Sequence, residues 1–138
     1  MLQPPQRRFF ITLRKVMNAS TLLYTALSPL VAGQVYPHLI PEAADDTPPY
    51  IIYQIVSTLP ITTLDGITHH ERVRAQIDAY HDDYDELLAL YGEILDRFDE
   101  LPMSEHDGTH FSHDDGLYRA SIDVFFNHQT KPNQPNEE

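Results

Sequence analysis

The only dense group of residues with ligand chemistry runs from His106 to Asp115: His106, Asp107, His110, His113, Asp114 and Asp115. Imidazole and carboxylate bind zinc and other transition metals. The spacing matches no sharp motif. It is not the helical H-E-x-x-H pattern, and Gly108 inside the group predicts a loop. A metal centre also needs fixed geometry and an outer layer of supporting groups, so solvated loop residues account for the same cluster. His106, His110, His113 and Asp114 are therefore the weak metal candidates. A small metal-binding protein or metal-dependent enzyme using residues 106–115 is the alternative reading they leave open. The pair His69-His70 is equally ambiguous. Other catalytic devices are missing: there is no cysteine, the five glycines form no phosphate loop, and no G-x-S-x-G elbow frames a serine. Asp82, Asp83, Asp85 and Glu86 are close enough in sequence for paired acid–base work. They also fall at the start of a predicted helix, where the positive end of the dipole favours carboxylates without catalysis. The expectation is a protein that is not an enzyme, with no catalytic residues and no cofactor.

The elements that would position these residues centre on 71–101. Val73, Ala75, Ile77 and Ala79 alternate with Arg72, Arg74, Gln76 and Asp78, the period of a half-buried strand. After His81 the period changes. Tyr84, Leu87, Leu88, Tyr91, Ile94, Leu95 and Phe98 predict one apolar helix stripe, capped by Asp82 or Asp83 and stopped by Pro102. Upstream, Phe9, Leu13, Val16 and Met17 have helical spacing. Asn18 or Ser20 caps a second short helix carrying Leu22, Leu23, Ala26 and Leu27, limited by Pro29 and Gly33. Val35-Tyr36-Pro37 is a short strand whose proline predicts an edge or a strand end. After a Pro-rich loop, Tyr50–Thr58 is a strand with apolar residues on both faces. Leu59–His70, with the turn signal Asp65-Gly66, predicts a projecting loop. The sequence predicts a short strand around Thr109–Ser112, turning through Asp114-Asp115-Gly116 into a last strand, Leu117–Asn127. In that strand Phe125 interrupts the polar face and predicts a second contact. The order is that of an α+β domain over residues 1–127: a small, mainly antiparallel sheet with helices packed on one face. Residues 128–138 are a flexible polar and acidic tail by composition.

At 138 residues the chain is long enough for one domain with a real core. Its net charge of −12 argues against specific nucleic-acid binding. Residues 1–36 carry Arg7, Arg8, Arg14 and Lys15 and no acid, +4 in all, whereas residues 37–138 balance at −16. Subunits built this way could attract one another; a solvated acidic surface explains the same numbers. Arg7-Arg8-Phe9-Phe10 and the small residues Ala32-Gly33 also admit a secretory or twin-arginine reading, which would make this an exported small domain. Polar residues from Asn18 to Ser28 interrupt the apolar run, and no stretch approaches the ~20 apolar residues that span a bilayer. The eight tyrosines suit protein interfaces as well as an ordinary core.

The series Val35-Tyr36-Pro37, Pro49-Tyr50-Ile51-Ile52-Tyr53-Gln54, Val73-Arg74-Ala75-Gln76-Ile77-Asp78 and Tyr118-Arg119-Ala120-Ser121-Ile122-Asp123-Val124 resembles the tail-completion, or tail-to-head joining, proteins of long-tailed bacteriophages and prophages. The resemblance covers residues 8–127. It implies a structural virion protein that ends tail-tube growth and offers the surface joining the head. It implies the α+β fold of tail terminators, assembled as a homo-hexameric ring in the bacterial host cytoplasm. The implied partners are further copies of the chain, the tail tube protein and a head-completion or connector protein, with no membrane; DNA would pass through the ring. The family supplies no catalytic residues. The basic N-terminal region and the His/Asp-rich segment depart from its usual pattern. The candidate subunit or tube contacts are Arg7, Arg8, Arg14, Lys15, Leu64, Ile67, Phe111 and Tyr118.

Overall fold

The computed structural model describes residues 18–130. The stripe Phe9–Met17, the four N-terminal cations and residues 131–138 lie outside them. Helix α1 spans Ala19–Leu27, and Asn18 caps it by accepting a hydrogen bond from Thr21 N at 2.7 Å. A 3₁₀ turn, Ser28–Val31, follows with Pro29 in its first turn, and the left-handed Ala32 ends it. Strand β1 is Val35–Pro37, β2 is Tyr50–Thr63 and β3 is Gly66–His81. Helix α2, Tyr84–Phe98, is capped by Asp83, which accepts from Glu86 N at 2.9 Å. Strands β4, Glu105–Asp114, and β5, Leu117–Gln129, close the chain.

The strands form one sheet in the order β1-β2-β3-β5-β4. Only β1–β2 is parallel; the other three pairings are antiparallel. The expected α+β class is what is found: α1 lies over β1 and β2, and α2 over β3 and β5, on the same face. The period-two strands explain that layer. Val73, Ala75, Ile77 and Ala79 of β3 and Ala120, Ile122, Val124 and Phe126 of β5 are buried beneath Leu23, Leu27, Leu87, Leu90, Ile94 and Phe98. Tyr53 reaches up from β2 and its hydroxyl pairs with Ser20 Oγ at 2.7 Å, tying α1 down. Pro37 ends an edge strand, as its missing N–H requires.

Four expectations need correction. Leu59–His70 is not a loop. β2 and β3 run on to a tight turn at Leu64-Asp65, with Thr63 opposite Gly66. Gly66 takes φ +115°, which a side chain would strain. The loop expected around Gly108 is not one either: β4 runs from Glu105 to Asp114, well beyond the short strand expected at Thr109–Ser112. The last strand continues past Asn127 to Gln129, with His128 buried. Finally, the buried line of α2 is Leu87, Leu90, Ile94 and Phe98, while Tyr84 and Leu88 face outward. The wider stripe in the sequence contains two overlapping faces, and the sheet takes the one centred on Leu90.

Candidate functional site

The strand that replaces the expected His/Asp loop separates its residues. Successive side chains of a strand point to opposite faces. The register with β5 puts His106, Phe111 and His113 opposite Val124, Ala120 and Tyr118, on the helix side; His110 lies opposite Ser121, on the other face. A register shift between His106 and Gly108 takes up Asp107. His106 Nε2 lies 2.7 Å from Thr109 Oγ1, and its ring meets Tyr91 edge-on at 6.2 Å. His113 packs on Tyr118 at 4.3 Å. Asp114 sits at the strand end opposite Leu117. Among the described residues, no three of His, Asp or Glu are grouped so as to hold a metal ion.

What the structure does gather are two exposed apolar surfaces. The first is the end of the β2–β3 hairpin. Among the described residues β5 pairs with β3 only from His70 onward, and the hairpin beyond it stands out from that part of the sheet. Shifts in register after Ile55 and Ile61 bend this arm. At the second, Thr68 Oγ1 donates to Ile61 O at 2.6 Å and His69 takes φ +62°. The arm carries Leu59, Leu64 and Ile67 into solvent, with Leu64 fully exposed and Ile67 75 % exposed. Pro60 lies in a part of β2 that, among the described residues, pairs only with β3, an edge position where proline is tolerated.

The second surface lies at the start of α2. Tyr84 contacts Tyr118 at 5.4 Å, and Tyr91 meets Phe111 edge-on at 5.3 Å. Leu88 lies one turn from Tyr84 on the same helix flank. Tyr84, Leu88 and Phe111 all remain substantially exposed. Of the candidate contacts, Phe111 and Tyr118 thus belong together, while Leu64 and Ile67 lie at the other end of the sheet. β3 alone separates the two ends by 16 residues, roughly 50 Å of extended chain. Arg7, Arg8, Arg14 and Lys15 lie outside the described residues. Tyr84 and Leu88 were missed as surface residues because their spacing fits a core stripe; Leu59 was missed as well, with no alternation around it to mark it.

The sheet face away from the helices is polar and internally paired. Arg119 Nη2 contacts Asp78 Oδ2 at 3.2 Å, and Arg74 Nη2 lies 4.0 Å from Asp123 Oδ2. Arg72 donates to Glu105 Oε1 at 3.0 Å and to Met103 O and Asn127 Oδ1. The predicted extra contact of Phe125 is with cations: the guanidinium groups of Arg72 and Arg74 lie 5.6 and 5.9 Å from its ring centre. Tyr50 and Tyr80 stack at 4.9 Å. Burial, with the neighbouring Tyr80 and Asp46, raises the Tyr50 phenol above its ordinary value; burial, partly offset by Arg119, raises that of Tyr80. Each of the three arginines on this face thus lies within reach of a carboxylate.

No family model matches the chain, and no curated protein matches it either. Among solved structures, its fold is similar to that of a chain in the virion of a native gene transfer agent particle. The likeness covers 78 % of this chain and 91 % of that one, with a TM-score of 0.50 at 12 % identity. No described helix is long and apolar enough to cross a membrane.

Proposed function

We propose that this chain is a structural protein of a phage-like virion: a tail-completion protein that caps the tail tube as a homo-oligomeric ring and offers the surface to which the head joins. The observation that carries the reading is the projecting β2–β3 arm, whose Leu59, Leu64 and Ile67 are exposed on a body that has already closed its own core. Aliphatic side chains held this far from a core are a contact waiting for a partner. The likeness of fold to a chain of a gene transfer agent virion supports the virion setting, as does the series of strand motifs.

In this reading the ring has six subunits. Its neighbours are the tail tube protein below and a head-completion or connector protein above, assembled in the bacterial host cytoplasm. A closed ring needs head-to-tail interfaces, two different surfaces on every copy. The arm and the Tyr84–Phe111 surface, at opposite ends of the sheet, meet that requirement. DNA passing through such a ring must not be held by it, and the net charge of −12 keeps phosphates from adhering. No catalytic step is part of this role.

The test is to produce particles from a genome that lacks this gene and to image them. Tails of uncontrolled length and heads without tails are the expected products. Normal particles in normal yield would overturn the proposal. Native mass spectrometry of the purified chain over a concentration series then reads the ring directly, with a six-subunit mass expected.

A further inference from the structure

The two apolar surfaces differ in their electrostatic surroundings. The Tyr84, Leu88 and Phe111 surface is flanked by Asp82, Asp83, Asp85 and Glu86 at the start of α2 and by Asp115 at the β4–β5 turn. Tyr118 brings these two groups together: it contacts both Tyr84 and His113 and lies opposite His81 in the ladder. Neither 75–96 nor 99–118 contains a lysine or arginine; within them His81 Nδ1 lies 3.2 Å from Asp82 Oδ1. The surface is therefore apolar at its centre and acidic at its edge.

Its complement is in the same chain. Residues 1–17 carry Arg7, Arg8, Arg14 and Lys15 together with Phe9, Phe10, Leu13 and Val16, and no acid. We infer that the Tyr84–Leu88–Phe111 surface is the docking site for the N-terminal segment of a second copy of this chain. Phe9, Phe10 or Leu13 would cover the aromatic centre while the cations face the acidic rim, an arrangement that fixes orientation and speeds encounter. The inference rests on the ring reading and deepens it by naming one of the subunit contacts.

The ring reading calls for a second copy in place of the chain's own segment, because a closed ring needs a donor and an acceptor surface on every subunit. The described chain begins at Asn18, and Leu22 in the first turns of α1 borders the same groove as Glu100, Leu101 and Pro102. The first turns of α1 thus lie beside the C-terminal end of α2. The acceptor surface runs along the first half of that 15-residue helix, from Tyr84 to Tyr91 where Phe111 packs. A donor at one end and an acceptor at the other is what a head-to-tail contact uses.

Lys15 makes the test direct, because the chain has only one other lysine, Lys131. Full-length protein labelled with ¹⁵N is mixed with unlabelled protein, treated with a carbodiimide that joins amines to carboxylates at zero length, and analysed by mass spectrometry. The expected links join Lys15 of one isotopic copy to Asp82–Glu86 or Asp115 of the other. Tyr84→Ser with Leu88→Ser, both at exposed positions, should cut their yield roughly fivefold or more while the circular dichroism spectrum is kept. Links confined to one copy would mean that the segment folds back on its own body, and would overturn the inference. Cross-copy links to other carboxylates, such as Glu42 or Glu100, would overturn this surface and leave the ring intact. A monomeric mass at every concentration with no cross-copy link would also overturn it, while the gene-deletion experiment decides the tail role separately.

Discussion

Asp83 shows how much a single side chain fixes here. It caps α2 by accepting from Glu86 N, and it is followed by two more acids in the first turn, where the helix dipole favours them. Asp83→Ala should lower stability by about 1 kcal/mol, read as a lower urea midpoint with an unchanged slope; no change would mean that Asp82 takes over the cap. Tyr80 gives a second prediction at this scale. Its phenol and that of Tyr50 are both raised above their ordinary value of 10.0, chiefly by burial. The folded state therefore holds these protons more tightly than the unfolded chain. Their stabilisation is complete below pH about 10 and is lost as pH rises through the folded pKa. The urea midpoint should fall on that alkaline side, and Tyr80→Phe should make the fall shallower. An equal fall in the variant would assign the alkaline loss to other groups.

At the scale of elements, burial decided what the sequence revealed. β3 and β5 were legible because each has one face under the helices, which imposes strict alternation. The cap and length of α2 were legible for similar local reasons, but its rotation was not. Leu87, Leu88, Leu90 and Tyr91 offer two faces within one helical turn, and only the sheet beneath selects between them. The arm was hidden for the opposite reason. From Val56 to Gly66 only Ile61 is partly covered, so no alternation marks the strand, and Pro60 reads as a break. Its β-branched run Ile61-Thr62-Thr63 and the signal Asp65-Gly66 were the traces it left. The same residues give the prediction for this element. Leu64→Ser with Ile67→Ser removes apolar groups that touch little of their own subunit, so chain stability should change by no more than about 0.5 kcal/mol. Assembly, followed by native mass or by ring counts in electron micrographs, should be strongly reduced. A large loss of stability without loss of assembly would make the arm a folding element instead of a contact.

For the whole molecule, the distribution of charge matters more than its total. The open sheet face pairs its arginines with Asp78, Asp123 and Glu105. The surplus acid is left on the exposed side of α2, in the Glu42–Asp46 loop and at the turns, while the cations of residues 1–17 stand apart in sequence. Two opposing salt effects follow. Exposed charges are screened over about 10 Å at 0.1 M salt and about 3 Å at 1 M. Attraction between the basic segment of one copy and the acidic rim of the next should weaken, so the oligomeric fraction should fall as salt rises. Repulsion within a body that balances at −16 over residues 37–138 should weaken as well, so the urea stability of the lone chain should rise over the same range. Measuring both on one preparation separates the causes. If assembly instead strengthens with salt, the aliphatic arm and not the charge pattern drives association, because added salt weakens exposed ionic contacts while leaving apolar burial intact.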